Sequence, residues 1–263
     1  MELDLTGQIV VVIGGTRGIG WAICEVLHRQ GAKVITCGSS ESSVEQARKK
    51  AATLAPGLEV FQADARSEAD MRTLIEHACA GEGCFTSVIY CAGKSLRGDV
   101  TQTSLADWDL CLDLNLRAPF LAAHLAIPCL KGVPNANLVF VSSIWAVTAT
   151  RRRVAYSVAK AGLAALARNL AIDHGPDGIR VNAIAPGYIG TNLLERSIRE
   201  VSPHLDLMPT ILGKHPLGRI GAPHDVAQLV GFLASPAAAF ITGQLLVIDG
   251  GATAQFALAD LWK

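Results

Sequence analysis

Apolar residues along the chain fall into two alternating patterns. Short, nearly continuous runs rich in Val and Ile occur at Gln8–Ile13, Lys33–Cys37, Leu58–Gln62, Ser87–Tyr90, Asn137–Val141, Arg180–Ala183 and Gln244–Ile248. Runs of this length without polar alternation suit strands buried on both faces, as in parallel sheets. Between them lie longer helical stretches, near 19–29, 42–53, 67–79, 105–130, 154–173 and 224–234. Ser67, Ser104 and Pro223 stand where helix starts want a capping hydroxyl or a first-turn proline. Regular alternation of strand and helix predicts an α/β fold, a doubly wound parallel sheet of about seven strands with helices on both faces. With no Gly/Ser linker and no repeat, residues 1–263 read as one domain.

Two segments exceed what this pattern needs. Tyr188–Gly221 follows a strand end, carries Pro203, Pro209 and Pro216, and mixes Leu and Ile with charges. It falls outside the carboxyl edge of the sheet, where such folds bind ligands, and reads as a substrate lid. A helical Thr191–Val201 would set Leu194 and Ile198 on one face, toward the pocket. The tail Phe256–Lys263 is apolar, with Trp262, and is expected to pack on a neighbouring subunit.

Composition narrows the function. Charged residues are 17% of the chain, below the usual ~25%, which predicts surface covered by another copy. The 23 basic residues balance 23 acidic ones, so no broad field attracts nucleic acid or an anionic membrane. No run approaches ~18 apolar residues, so no membrane span is expected. The opening MELDLTGQIVVVIGG is acidic and reaches glycine too early for a signal peptide, and a cytoplasmic location is expected. Cys24, Cys37, Cys79, Cys84, Cys91, Cys111 and Cys129 form no CxxC pair and no metal-ligand spacing; they read as reduced core thiols, and no metal is assigned.

The first strand runs into Gly14-Gly15-Thr16-Arg17-Gly18-Ile19-Gly20, and a helix follows. Glycines let the backbone turn sharply and approach a pyrophosphate, and the helix N-terminus offers N–H groups and partial positive charge. That is a dinucleotide site. The second strand ends Ile35-Thr36-Cys37-Gly38-Ser39-Ser40, without the acid that would bond the ribose hydroxyls of NAD. Arg17, Ser39 and Ser40 offer instead the charge and donors a 2′-phosphate needs, so NADP(H) is expected, with NAD(H) the alternative.

Tyr156 and Lys160 lie four apart in a helical segment, on one face. A nearby cation lowers the pKa of a phenol, making it a usable acid/base. Ser143 ends the Leu138-Val-Phe-Val-Ser-Ser run, at the carboxyl end of a strand, where its hydroxyl can hold a substrate carbonyl. With these residues the chain resembles the short-chain dehydrogenase/reductase family, in its 3-oxoacyl-carrier-protein-reductase-like branch. The resemblance covers essentially the whole chain: the GGTRGIG turn, Asp64, Ala92-Gly93, Asn115, Ser143, Tyr156, Lys160, Pro186-Gly187 with Thr191, and Ile248-Asp-Gly-Gly251. It implies a Rossmann fold and a homotetramer. It also implies Tyr156 as general acid/base, Lys160 on the ribose, Ser143 on the substrate oxygen and Asn115 holding a relay water. Asp64 and Ala65 would contact adenine, and Pro186, Gly187, Ile189 and Thr191 the nicotinamide half. Two positions depart from the family pattern: Ile13 replaces its Thr, and Cys91 its Asn in Cys91-Ala92-Gly93, which weakens local order or cofactor affinity without touching the chemistry.

Arg151-Arg152-Arg153 reads as a solvated face near the pocket rim, an anionic substrate being the alternative. The seven His form no cluster. Trp145 and Tyr188 read as pocket walls suited to an apolar or aromatic substrate. The sequence therefore predicts NADP(H)-dependent reduction of an apolar ketone or 3-oxoacyl-type substrate. The alternatives are an NAD-dependent dehydrogenase of a sugar or hydroxy acid, and a non-catalytic nucleotide-binding regulator.

Overall fold

The computed structural model describes residues 3–80, 84–192, 194–195, 198 and 208–255. Seven strands, β1 (Ile9–Ile13), β2 (Lys33–Gly38), β3 (Glu59–Gln62), β4 (Ser87–Tyr90), β5 (Asn137–Val141), β6 (Arg180–Pro186) and β7 (Leu245–Ile248), form one sheet in the order β3-β2-β1-β4-β5-β6-β7. All pairs are parallel. Ile13 stands opposite Cys37 on one side and Tyr90 on the other, so three strands end together. The winding reverses between β1 and β4, and that reversal opens a crevice at the carboxyl edge.

The helices are α1 (Gly18–Arg29), α2 (Glu41–Leu54), α3 (Glu68–Cys79), α4 (Leu105–Leu112), α5 (Ala118–Leu130), α6 (Val154–His174), α7 (Met208–Leu212) and α8 (Pro223–Ala234). Alternate residues of β1 feed opposite cores. Val11 and Ile13 pack with Leu74 of α3, Ala126 of α5 and Leu163 of α6. Val10 and Val12 pack with Ile23 of α1, Val44 of α2 and Val230 of α8. This two-sided burial is why the strands read as continuous apolar runs, and each fully buried aliphatic side chain contributes roughly 1.5–3 kcal/mol. Ser67 and Ser104 cap α3 and α4 by accepting the backbone N–H of Asp70 and Asp107, and Pro223 opens α8, as the sequence predicts.

Three differences matter. Strand β6 runs on to Pro186, three residues beyond the predicted end, because its partner β7 continues beside it to Ile248. The stretch 105–130 is one continuous helix, but Asp113–Arg117 between α4 and α5 is a π-turn, a single wider turn that apolar spacing does not announce. By length and composition Leu105–Leu130 is also long and apolar enough to cross a membrane, although half of its most apolar 18-residue stretch is buried inside the protein, as in a core helix. The tail Phe256–Lys263, Leu193 and residues 196–197 and 199–207 lie outside the described residues.

Candidate active site

The glycine turn folds tightly onto the crevice. Gly14 has φ +89°, and a Cβ there would stand 2.6 Å from the backbone nitrogen of Ala92. Only hydrogen fits that position. A Cβ on Gly20 would collide with the Gly14 carbonyl oxygen, so α1 begins directly against the turn. Cys91 and Ala92 both donate their N–H to the Ile13 carbonyl, at 2.8 and 3.0 Å. Main chain thus supplies a tie between β1 and β4 beside Cys91, whose thiol burial pushes up to about 12.

Helix α1 starts differently from α2, α3 and α4. Those three are capped by the hydroxyls of Ser40, Ser67 and Ser104. At α1 the capping residue is Arg17, extended and exposed, with no side-chain cap bond and no acid in the first turn. Its first N–H groups therefore face the crevice with the positive end of the helix dipole behind them. Thr16 sits buried against Gly38 at the end of β2, and its hydroxyl donates to Ser43 at 3.3 Å. Ser39 is exposed beside it. Ser40 is already engaged: its hydroxyl donates to Ser43 Oγ at 2.9 Å and accepts the Ser43 N–H, so capping α2 competes with any ligand. The Asp64 carboxylate accepts from Arg66 at 2.7 Å, which holds it below the usual carboxylate range; Ala65 beside it is buried.

Four predicted side chains meet at the carboxyl ends of β4 and β5. Ser143 lies just beyond β5, buried, its Oγ accepting the Trp145 N–H at 3.2 Å, and near enough to the Tyr156 phenol to lower that phenol's proton affinity. Lys160, one helical turn further along α6, is buried, donates from Nζ to the Val141 carbonyl at 2.8 Å and lies 5.6 Å from the centre of the Tyr156 ring. Ser142 locks the turn by donating to the Lys160 carbonyl at 2.9 Å. Asn115 sits in the π-turn, fully buried, its Nδ2 donating to the carbonyls of Lys94 and Cys111, each at 2.9 Å. Its Oδ1 is buried with no hydrogen-bond partner in the protein. A Cβ on Gly93 would stand 2.9 Å from that oxygen and 3.5 Å from Lys160 Nζ, so Gly93, Asn115 and Lys160 converge.

Burial sets the proton affinities here. It pushes the Tyr156 phenol up to about 12, against the opposing pull of the nearby Ser143 hydroxyl. It draws the Lys160 ammonium down to about 8. Both groups are thus poised to respond to a charge arriving beside them. Chemically, a phenol and a hydroxyl converge as donors for one carbonyl oxygen. The orphan Asn115 Oδ1 is an acceptor that a water or ligand hydroxyl satisfies. These residues and the uncapped α1 together fit a dinucleotide lying across the crevice.

The far wall comes from β6 and the segment after it. A Cβ on Gly187 would stand 2.8 Å from the Asp249 Cβ, and the Asp249 carboxylate accepts the N–H groups of Gly251 and Thr253. Pro186 and Ile189 are buried, and Thr191 faces Gly18 across the crevice. Trp145 meets Tyr188 edge-on at 6.1 Å, so both predicted pocket walls are brought together. In the stretch after Thr191, residues 192, 194, 195 and 198 are helical and Leu194 is buried.

Sequence reasoning missed two residues. His215 is 4% exposed, lies edge-on to Tyr188 at 5.8 Å and donates Nδ1–H to the Ile211 carbonyl, leaving Nε2 buried without a hydrogen-bond partner. A lone His in a loop gives no spacing by which to find it. Arg153 corrects the solvated reading of the basic run. Arg151 and Arg152 are exposed, but Arg152 takes the left-handed backbone, φ +61°, and turns the chain so that Arg153 is buried at 8% exposed. Its charge reaches both the Tyr156 and Tyr188 phenols, pulling each downward against burial.

A family profile described as enoyl-(acyl carrier protein) reductase matches residues 13–253. A tropinone reductase homolog of Datura stramonium is 33% identical over 251 residues, covering 95% of this chain and 93% of its own. The 2-(S)-hydroxypropyl-CoM dehydrogenase 3 of Xanthobacter autotrophicus is 30% identical over 97% of this chain and 100% of its own. Among solved structures, the Thermoplasma acidophilum aldohexose dehydrogenase in ligand-free form superposes with a TM-score of 0.89 at 28% identity, covering 98% of this chain and 99% of that one. A parallel sheet wound in this order, a glycine turn on α1, the Ser–Tyr–Lys cluster and these matches agree: the chain belongs to the short-chain dehydrogenase/reductase family of oxidoreductases.

Proposed function

We propose that the protein is an NADP(H)-dependent carbonyl reductase, acting reversibly on a ketone and its secondary alcohol. The observation that carries this is the grouping of the Tyr156 phenol with the buried Ser143 hydroxyl and the buried Lys160 ammonium, 5.6 Å from the phenol ring centre. A bound nicotinamide supplies or accepts the hydride. Ser143 orients the carbonyl oxygen, and Tyr156 gives it the proton at its phenol oxygen. Lys160 holds positive charge beside that phenol and binds ribose hydroxyls. Asn115 Oδ1 accepts from a water through which the phenol is reprotonated. Asp64, Ala65, Ala92, Gly93 and the Pro186–Thr191 segment line the two ends of the cofactor. A non-catalytic regulator has no need of this cluster. Exposed Leu105, Phe120, Val158 and Ile172 supply apolar surface for packing copies into a homotetramer.

Arg17 and Ser39 are the proposed readers of the 2′-phosphate. Arg17→Ala weakens NADPH binding about 10- to 100-fold, the worth of a charge-assisted contact, and leaves NADH binding nearly unchanged. Fluorescence titration of both cofactors measures it. A wild type that prefers NADH removes the NADP reading and leaves the reductase reading standing.

For the substrate, Trp145, Tyr188 and Leu194 favour an apolar ketone or 3-oxoacyl group over a free sugar, whose hydroxyls would lack partners. Buried Arg153 favours a second reading, in which that substrate also carries an anionic group. An NADPH-oxidation screen over neutral aromatic ketones, β-keto esters, keto acids and sugars separates them. Under the second reading Arg153→Ala raises KM for keto acids at least about 10-fold and spares neutral ketones. Strong preference for a sugar overturns both.

A further inference from the structure

Away from the crevice, three cysteines distant in sequence come together. Cys79 is the last residue of α3, Cys84 stands three residues before β4, and Cys129 is in the last turn of α5. Their sulfurs all lie within 4.8 Å of one another, and Cys79 Sγ is 3.3 Å from Cys84 Sγ. All are free thiols, partly exposed, packed against the core under α3 and α5. Topology puts them at the amino ends of β4 and β5, the edge opposite Tyr156. Nothing in carbonyl reduction uses them, and three grouped thiols exceed what packing asks of a small apolar side chain.

We propose that Cys79, Cys84 and Cys129 form a three-thiolate site for a thiophilic d10 cation, zinc(II), with solvent at the fourth corner. Zinc–sulfur bonds of about 2.3 Å in a tetrahedron place sulfurs about 3.8 Å apart. Cys79 and Cys84 stand closer than that spacing and all three sulfurs lie within 4.8 Å, so closing the site takes side-chain rotation, with Cys79 and Cys84 opening by about half an ångström. The partly exposed sulfurs leave room for the water. Soft sulfur donors select this class of ion over magnesium or calcium, which take oxygen. On binding, three S–H bonds break, three zinc–sulfur bonds form and three protons pass to solvent; no electron changes hands. The Cys84 thiol also gives up its hydrogen bond to the Cys129 carbonyl, 3.1 Å long, which lies among the orphan carbonyls of the last turn of α5. The site would then pin the α3–β4 connection to the end of α5, a structural role independent of turnover.

The test uses the full chain, reduced and freed of metal. Titration with zinc(II) against a chromophoric chelator should show one equivalent bound per chain. Cobalt(II) as a probe should give the charge-transfer band of a three-thiolate site. Cys129→Ser should weaken zinc binding about 100-fold, the share of one ligand. Zinc should raise the melting temperature of wild type and not of the variant. The absence of a thiolate band in reduced wild type overturns the proposal, as does a band unchanged in Cys129→Ser. If that variant misfolds, the intensity of the wild-type cobalt band still counts the thiolates, and fewer than three is a negative result. NADPH oxidation by wild type, with and without zinc, is read separately, so failure of this site leaves the reductase reading untouched.

Discussion

Tyr156→Phe lowers kcat for ketone reduction by about 1,000-fold while leaving NADPH affinity within about twofold of wild type. The substitution removes one oxygen and keeps the ring, so the packing beside Lys160 survives. What disappears is the phenol proton that stands beside both Ser143 and Lys160. A positioned general acid contributes roughly 100- to 10,000-fold, and the donor here is the group that must protonate the product oxygen. Stopped-flow or steady-state NADPH oxidation measures the loss, and cofactor fluorescence measures the binding. A variant with an unchanged rate means the proton comes from elsewhere and ends the mechanism.

Lys160 gives the second large effect, and its sign follows from burial. Drawn down to about 8, the ammonium is charged at neutral pH and loses its proton as pH rises through that value. Its charge is what favours phenolate over phenol as Tyr156 releases its proton. The profile of kcat/KM for reduction should therefore hold below pH 8 and fall above it. Lys160→Met should lower kcat/KM about 100-fold and lose that fall, because the titrating group is gone. Rate measurements from pH 6 to 10 in both proteins decide it. A wild-type profile still flat at pH 9.5 assigns the ammonium no part in the chemistry.

Much of this was legible in sequence for a physical reason. Strands buried on both faces hold few polar residues, and the two at the starts of β4 and β5, Ser87 and Asn137, bond each other, so β1, β4 and β5 show as nearly continuous apolar runs. The glycine turn shows because Gly14 and Gly20 sit where a Cβ meets backbone, and Tyr156 and Lys160 because four residues make one helical turn. What stayed hidden depends on approach through space. Cys79 and Cys129 are fifty positions apart and meet only once α3 and α5 pack side by side. Arg153 reads like its neighbours until the left-handed turn at Arg152 separates it from them. Ser40 carries both a cap and a ligand donor in its one hydroxyl, and local sequence does not say which wins. His215 enters the pocket wall through the fold alone.

The π-turn at Asp113–Arg117 has a consequence for how one rod serves two neighbours. Each residue advances a helix by about 100°, so a single wide turn resets the azimuth of everything after it. Upstream, α4 leans on α6; downstream, α5 turns its alanines to α3, β4 and β5. Relative to a helix of constant pitch, the wide turn shifts which of the later residues face each neighbour along this 26-residue rod. The same slip of phase loosens the backbone ladder where Asn115 stands, and the side chain at the joint points to neither neighbour but into the crevice. The rod's change of bearing and the placement of its one buried amide are a single geometric event.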